Sequence, residues 1–316
     1  MSTSTPTELG PGTSPSASRP STDSTPERVG VGVPRRTRRR HGGARRLTGR
    51  ALVYLVLGAG AVLWVLPFVW MVLGSAKSQV EIFADPPTWW PAMPTMENFV
   101  RWFTELDFGV YFTNSLVVAL LTVAGNLLFC SMVGYALAKI EFAGKRILFT
   151  AVMITLMVPA VVTFVPLFVI VANMGILNTI AALVLPFLTA PVGVFLMRQF
   201  MLEIPDSLLE AARIDGASEI RVFLQVVLPM CGPALATLGI LTFLGSWNNF
   251  LWPLVASQAQ HMYTLPVALS LYSTGQFATD YGTLLAGSVL IITPILLLFV
   301  FLQRYFVQGL ATTGIK

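Results

Sequence analysis

Long apolar runs separated by short polar segments make up most of this chain. Six of the runs reach the roughly 20 residues that an α-helix needs to cross the hydrocarbon core of a bilayer. They cover residues 51–73, 110–137, 147–171, 179–197, 233–256 and 281–302. The pattern therefore predicts an all-α polytopic membrane protein with six transmembrane helices.

Prolines lie within or at the ends of most of these runs. They are Pro67, Pro159, Pro166, Pro186, Pro191, Pro253 and Pro294. In a membrane, neighbouring helices satisfy the backbone groups that a proline leaves without a partner. We therefore expect kinked helices rather than broken ones.

The overall composition agrees with a membrane protein. Hydrophobic residues make up 55% of the chain and charged residues only 11%, whereas soluble domains carry about 25% charged residues. None of the six runs contains Asp, Glu, Lys, Arg or His. This disfavours proton-coupled transport, which keeps such residues in the membrane despite their cost, and leaves sodium coupling through backbone carbonyls open.

The first 50 residues have a different composition. Residues 1 to about 33 are mostly Ser, Thr, Pro and Gly, as in disordered segments, and eight arginines follow before the first run. A nucleic-acid-binding arm is one interpretation. Arginines beside a first span, however, usually set topology and contact anionic lipid headgroups. We predict a disordered tail over residues 1–50 that meets membrane lipid and no nucleic acid.

The basic residues also predict orientation. If the N-terminus is cytoplasmic, only Lys77 and Arg101 of the 20 Lys and Arg residues lie outside. Such a bias follows the positive-inside rule. We therefore expect a multi-pass protein of the cytoplasmic membrane with both termini, and the polar segment of residues 203–229, in the cytoplasm.

Sites for enzymatic or metal chemistry are missing from the sequence. There is no Gly-x-x-x-x-Gly-Lys-Ser/Thr phosphate loop, and Cys130, Cys231, His41 and His261 have no disulfide or metal-site spacing. No Ser/His/Asp or Cys/His set suits nucleophilic catalysis. We expect a chain that is not an enzyme and binds no metal or cofactor itself.

A few polar residues inside the runs are candidates for contact with a transported solute. Most intramembrane asparagines only hydrogen-bond a neighbouring helix. The amide pair at 248–249 lies beside tryptophans, and amides next to an aromatic face suit the hydroxyls and ring of a sugar. The candidate pathway residues are Asn114, Trp247, Asn248 and Asn249.

The polar segment of residues 203–229 reads as two short helices. Pro205 and Asp206 suit a helix start, and Leu208, Ala211 and Ala212 share a face at helical spacing. Gly216 then suits a left-handed helix cap. Ser218 is a candidate N-cap for a second helix, whose apolar face is Ile220, Phe223, Leu224 and Val227.

Two other interpretations of this segment are weaker. An ordinary solvated loop does not need such ordered capping signals. A helix lying on the membrane surface is usually basic, whereas this segment has five acidic residues and two arginines, so an anionic leaflet repels it. We therefore predict a protein partner, whose groove receives the narrow alanine face.

The letters EAARIDGA at 210–217, followed by Leu228 and Pro229, resemble the EAA motif of ABC importer permeases. The surrounding sequence is most similar to that of permeases in the carbohydrate-uptake group, the maltose-transporter inner-membrane type. Asn114–Ser115, SWNNFLWPL at 246–254 and QRYFVQGL at 303–310 agree with this. The resemblance runs from about residue 52 to the end and leaves the tail out.

The resemblance implies a permease subunit that moves a mono- or oligosaccharide by alternating access. Its implied partners are a second permease subunit in a heterodimer, two copies of a cytoplasmic ATPase that binds the ATP, and an extracytoplasmic solute-binding protein. An amino acid or osmolyte as the substrate, or a scaffold role without transport, are the alternatives. The residues matching the ATPase-coupling motif are Glu210, Ala211, Ala212, Asp215, Gly216 and Ala217.

The same resemblance implies a division of the chain into four parts. Residues 1–50 are the tail, and residues 51–109 are the first transmembrane helix with a long external loop. Residues 110–303 are the permease core, in which the cytoplasmic coupling helix lies between the fourth and fifth transmembrane helices. Residues 304–316 are a cytoplasmic C-terminal tail.

Overall fold

Helices form the structure, a computed structural model that describes residues 43–274 and 280–313. No strand occurs in these ranges, which confirms the all-α prediction for them. The chain divides into two compact units, Met1–Ala59 and Gly60–Lys316. In the first unit the described residues form the beginning of helix α1. The predicted tail up to residue 42 lies outside the described residues.

Fifteen α-helices follow one another in the described ranges. They are α1 (Gly43–Ser75), α2 (Gln79–Ile82), α3 (Glu97–Thr104), α4 (Phe108–Lys139), α5 (Lys145–Met157), α6 (Ala160–Asn173), α7 (Ile180–Val184), α8 (Pro191–Leu202), α9 (Asp206–Ile214), α10 (Glu219–Val222), α11 (Leu228–Met230), α12 (Gly232–Trp247), α13 (Leu251–Ala256), α14 (Leu265–Thr274) and α15 (Tyr281–Thr313). Helix α1 thus includes residues 43–50, which we predicted as part of the tail; these residues contain no proline, and the interior glycine, Gly49, costs a helix only about 1 kcal/mol.

Among the described residues, three single helices and three bent helix pairs are long and apolar enough to cross a membrane. The single helices are Leu52–Ser75, Phe108–Lys139 and Tyr281–Phe301. The pairs are Lys145–Met157 with Ala160–Asn173, Ile180–Phe187 with Pro191–Leu202, and Glu219–Met230 with Gly232–Trp247. Large apolar side chains on α1, α5 and α6 are exposed, which suits a surface that faces lipid.

Two runs that we expected to be only kinked are broken before a proline: the run 147–171 before Pro159, and the run 179–197 before Pro191, which follows the extended residue Ala190. The predicted run 147–171 consists of α5 and α6, which meet at an angle of 105°. Val158 is extended (φ −82°, ψ 119°), as expected of the residue before a proline, and Pro159 has no N–H to continue the helix. Pro67, Pro166 and Pro294 lie inside continuous helices, as predicted.

The run 233–256 is also divided. Helix α12 ends at Trp247 and α13 begins at Leu251, so the amide pair Asn248–Asn249 lies in the gap between two helices. A backbone that leaves the helix here exposes side chains that a continuous span would direct into its neighbours.

Helix α4 is the centre of the packing and lies mainly against α8 and α12. Close approach depends on glycines: a Cβ atom added at Gly134 would lie 2.9 Å from the Cβ atom of Met197, and one at Gly193 would lie 2.8 Å from the Sγ atom of Cys130. Small residues commonly permit such helix contacts in membranes.

Candidate functional site

The polar segment (residues 203–229) begins with α9, as the sequence predicted. Pro205 is extended (φ −62°, ψ 131°) and directly precedes the helix. Gly216 has a φ of +81°, and the Ala217 N–H donates to the Ala212 carbonyl at 3.0 Å. The left-handed glycine at the end of this helix is therefore confirmed.

The apolar face of α9, which we expected to enter a partner's groove, is divided, because Ala212 is directed into the core of this protein itself. Leu209 is 2% exposed, and Ala212 packs beside it against the core. Leu208 and Ala211 are exposed. The helix therefore rests on Leu209 and Ala212 and leaves Leu208 and Ala211 free to meet another molecule.

The residues of the EAA motif divide in the same way. Ala212 and Ala217 are partly buried and pack against the core formed by α4, α8 and α12. The motif residues exposed to solvent are Glu210, Ala211, Asp215 and Gly216.

Lys139, the last residue of α4, holds the start of α9. Its Nζ atom donates to the carbonyl oxygen of Ile204 and to Oδ1 of Asp206, both at 2.6 Å, and its side chain is 4% exposed. The hydrogen bond and charge of Lys139 hold the pKa of Asp206 below its ordinary value. A buried ammonium group is thereby paired at the junction of the two helices.

The end of α9 is held by a second contact with α4. The Tyr135 hydroxyl donates to Oε2 of Glu219 at 2.7 Å, and Nε of Arg213 donates to Oε1 of the same carboxylate at 2.7 Å. Ser218 has the extended backbone of an N-cap, but its side chain makes no capping hydrogen bond. In place of a side-chain cap, the contacts of Glu219 with Arg213 and Tyr135 hold the start of the second helix.

The second predicted helix contains a π-helical turn at Phe223–Val227. Phe223 and Val227 are buried, as the apolar face predicted, whereas Ile220 and Leu224 are exposed. Val222, the residue before this turn, is also buried in the core.

Two of the four candidate pathway residues hold parts of the protein together. The Asn114 amide donates to the carbonyl oxygens of His261 and Tyr263 at 2.8 and 3.0 Å. Trp247 is 1% exposed, and its Nε1 atom donates to the Ile291 carbonyl at 3.0 Å.

The other two candidates lie in the gap between α12 and α13. The Asn248 side chain is exposed and donates to the Leu244 carbonyl of its own helix at 2.9 Å. Oδ1 of Asn249 accepts from the Trp252 N–H at 3.4 Å, and Asn249 borders a cavity. Only Asn249 of the four candidates lines that cavity.

The cavity has a volume of about 260 Å³ and lies between α4, α7, α8, α12 and α13. Its wall is mainly apolar, with five polar side chains. The hydroxyl of Thr122 is buried and has no hydrogen-bond partner among the described residues. The polar residues of the wall are Thr122, Asn126, Thr242, Ser246 and Asn249.

Sequence reasoning did not single out the hydroxyl-bearing residues of this wall. Small hydroxyl side chains are common in membrane helices because their oxygen can bond the preceding turn. Position in a single sequence therefore does not separate Thr122, Thr242 and Ser246 from other Ser and Thr residues of the runs.

The described residues offer no evident place for a metal. Within 43–274 and 280–313, no three His, Cys, Asp or Glu side chains come close enough together to hold an ion. Cys130 and Cys231 are buried and are not joined in a disulfide.

Comparison with known proteins gives a consistent result. Residues 126–312 match the model of the family described as "Binding-protein-dependent transport system inner membrane component". The arabinooligosaccharides transport system permease protein AraQ of Halalkalibacterium halodurans is 42% identical over 81% of this chain and 92% of its own length. The lactose transport system permease protein LacG of Rhizobium radiobacter is 32% identical over 81% of this chain and 93% of its own.

A solved structure has a similar fold. A chain of a bacterial ABC transporter involved in the import of the acidic polysaccharide alginate superposes with a TM-score of 0.77. The match covers 84% of this chain and 99% of that chain at 23% sequence identity. At this identity the likeness concerns the fold.

Proposed function

Because this chain belongs to the family of binding-protein-dependent transport system inner membrane components, we propose that it is the permease subunit of an ABC importer for a mono- or oligosaccharide. The observation that carries the proposal is the 42% identity to an arabinooligosaccharide permease along 81% of the chain. The lactose permease relative supports the same class of substrate.

The proposed topology has six transmembrane segments and cytoplasmic termini. The three single helices and three bent pairs supply the segments, and the basic residues supply the orientation. The polar segment then lies on the cytoplasmic side, with α9 between the fourth and fifth segments and residues 219–229 in the first half of the bent pair that forms the fifth segment. The proposed parts of the chain are the tail (1–50), whose residues 43–50 already belong to α1, the rest of the first helix with the external loop (51–109), the permease core (110–303) and the C-terminal tail (304–316).

In this function α9 is the coupling helix. Its exposed surface, with Glu210, Ala211, Asp215 and Gly216, docks in a cleft of the ATPase, and Ala212 and Ala217 seat the helix on the permease. Binding and hydrolysis of ATP belong to the ATPase, so this chain is not an enzyme. A second permease subunit, two copies of the ATPase and an extracytoplasmic solute-binding protein complete the proposed transporter.

The substrate pathway includes the cavity beside Asn249. Its amide, with the hydroxyls of Thr242 and Ser246, offers hydrogen-bond donors and acceptors on an apolar wall, as small-molecule sites do. Asn248 lies beside it at the same gap. Asn114 and Trp247 act on the pathway by holding the elements that frame it.

Uptake by the reconstituted complex tests the substrate class. The complex is purified through a tag on this chain and placed in proteoliposomes with ATP inside and labelled mono- and oligosaccharides, amino acids or osmolytes outside. We expect ATP-dependent uptake of a saccharide. Uptake of amino acids or osmolytes alone overturns the sugar assignment, and purification without any ATPase overturns the importer assignment.

A glycine variant tests the coupling helix. Gly216→Trp should insert in the membrane but abolish the substrate-stimulated ATPase activity, because bulk and backbone strain alter the docking surface. Gly175→Trp is the matched control, since Gly175 also has a positive φ (+68°) and open space around it but lies between α6 and α7. Full activity of Gly216→Trp contradicts the assignment.

A further inference from the structure

We propose that α4 transmits displacement of the coupling helix to residues 257–265, the distal loop, which the first turns of α4 contact. Tyr135 and Lys139 are the positioning residues at one end of α4, and Tyr111 and Ser115 are those at the other. The proposal rests on the proposed function, because it assumes that α9 is moved by an ATPase.

The coupling end of α4 holds α9 at two points. Lys139 binds the start of α9 through Ile204 and Asp206, and Tyr135 binds Glu219 just after its end. The two α4 residues are four positions apart, so they lie on one face of the helix. Because Leu209 is buried between these two contacts, α9 cannot shift far without carrying the last turn of α4 with it.

The other end of α4 holds the distal loop by several hydrogen bonds. Oγ of Ser115 accepts from the Leu265 N–H at 2.8 Å, and the Tyr111 hydroxyl accepts from the Gln260 side chain at 2.8 Å. The Asn114 amide adds its bonds to two loop carbonyls. Side chains from adjacent turns of one helix thus hold residues 260–265 of the loop, whereas its start is held by Asn178, whose Oδ1 atom accepts from the N–H groups of Gln258 and Ala259.

Between its ends α4 is the candidate span best suited to act as a rigid body. It is continuous over 32 residues, which at about 1.5 Å per residue is about 48 Å. It contains no proline. Every other candidate span contains a proline or a bend, including the bends of 105°, 44° and 81° in the three pairs.

The rigidity of a span decides whether displacement of one end reaches the other end. A bend lets one half of a span move while the other stays, whereas an unbroken helix that is fixed at both ends moves as a unit. The packing of α4 against α8 and α12 does not prevent this, because those helices can move with it. Motion at α9 therefore reaches the distal loop through α4 more directly than through any bent pair.

The test compares variants at both ends of α4 in the complete transporter in proteoliposomes. Tyr135→Phe removes the bond to Glu219, and the double variant Tyr111→Phe/Ser115→Ala removes two bonds to the distal loop. The measurement is the ratio of the ATPase rate with the loaded solute-binding protein to the rate without it. Thermal unfolding of each complex is measured in parallel.

Asn98→Ala is the matched control for the distal variants. The Asn98 amide also makes two hydrogen bonds to a loop, to the carbonyls of Ser75 and Lys77 at 2.8 Å each, but it lies on α3. Lys139→Met and Lys139→Arg form a second pair, in which only the arginine keeps the cation that binds Asp206.

We expect Tyr135→Phe, Lys139→Met and the distal double variant each to lower the stimulation ratio at least about fivefold, the lower range of allosteric coupling. Combining Tyr135→Phe with the distal double variant should lower the stimulation ratio no further than either change alone, because both interrupt the same path. Lys139→Arg should keep the wild-type stimulation ratio. Asn98→Ala should also leave the ratio unchanged, even if this variant unfolds at a lower temperature.

Two results overturn the proposal while the proposed function stands. One is a wild-type ratio in the distal double variant; the other is an equal loss in Asn98→Ala, which would indicate general destabilisation. A wild-type complex whose ATPase does not respond to any solute-binding protein overturns the proposed function instead, and this inference with it.

Discussion

Arg101 and Asp280 form a salt bridge of 2.5 Å that joins α3 to the start of α15. The Asp280 carboxylate also accepts hydrogen bonds from the backbone and hydroxyl of Thr283 and from the Tyr272 hydroxyl. Helix α3 therefore meets α14 and α15, which lie far from it in the sequence, at one partly buried carboxylate.

This carboxylate should make stability depend on pH. Burial alone raises the pKa of Asp280, but the bonds from Thr283 and Tyr272 and the charge of Arg101 outweigh burial and hold it below its ordinary value. Because the pKa is lower in the folded state, the ionised carboxylate stabilises the protein fully when the pH is above the unfolded-state pKa of about 3.9. This stabilisation is lost as the pH falls through the folded-state pKa.

The measurement is thermal unfolding of the detergent-solubilised protein between about pH 6 and pH 3, around the unfolded pKa. Wild type should be more stable than Asp280→Asn at the upper end, and the difference should shrink at the lower end. Glu97, which pairs with Arg101 at 3.3 Å, is present in both proteins. Parallel curves for the two proteins contradict the prediction.

Gly134→Ala should destabilise the core. A Cβ atom at Gly134 would lie 3.1 Å from the backbone nitrogen of Arg198 and 2.9 Å from the Cβ atom of Met197, and backbone atoms of α8 cannot move aside cheaply. Overpacking costs about 1–3 kcal/mol, which exceeds the gain of up to about 1 kcal/mol from replacing a helical glycine.

Gly239→Ala is the matched control for that variant. Its added Cβ atom would meet nothing closer than 3.9 Å, so only the helix propensity changes, and a gain of up to about 1 kcal/mol is expected. Unfolding midpoints in detergent should move in opposite directions for the two variants. A shift in the same direction shows that helix packing at Gly134 is not as tight as described.

The local features of the polar segment were predictable because neighbouring residues determine them. Pro205 and Gly216 act through their own backbone restrictions, and both lie where the sequence placed them. The contact of Tyr135 with Glu219 was not predictable, since the two residues are 84 positions apart and their pairing depends on how α4 and α10 pack.

The breaks in the spans show a second limit of prediction from a single sequence. Pro159 ends a helix whereas Pro67, Pro166 and Pro294 lie within one, although all four occur in apolar runs. The neighbours that satisfy the free backbone groups decide the outcome, and a single sequence does not show them. The gap at 248–250, which exposes Asn248, was missed for the same reason.

Asn126→Leu should destabilise the protein by about 1–3 kcal/mol, the cost of leaving a buried polar group unpaired. The Asn126 amide donates to the Phe187 carbonyl at 2.6 Å, and its oxygen accepts from the Ala190 N–H at 3.0 Å. It thus satisfies both sides of the bend before α8, which leucine cannot do.

Asn248→Leu is the control for the asparagine variant. Its amide bonds only the Leu244 carbonyl of its own helix, and the side chain is exposed, so the change should stay within about 0.5 kcal/mol, as at other surface positions. Thermal unfolding in detergent compares the two. Equal losses in both variants argue against a special role for Asn126 at the bend.

Two adjacent alanines of α9 should separate docking from folding. Ala211→Trp adds bulk on the exposed surface, so the protein should unfold at the wild-type temperature but lose the ATPase during purification through a tag on this chain. Ala212→Trp adds the same bulk where the helix rests on the core, and overpacking there should cost about 1–3 kcal/mol. Retention of the ATPase by Ala211→Trp at the wild-type level would show that the partner docks elsewhere, because no described contact within the chain depends on that exposed methyl group.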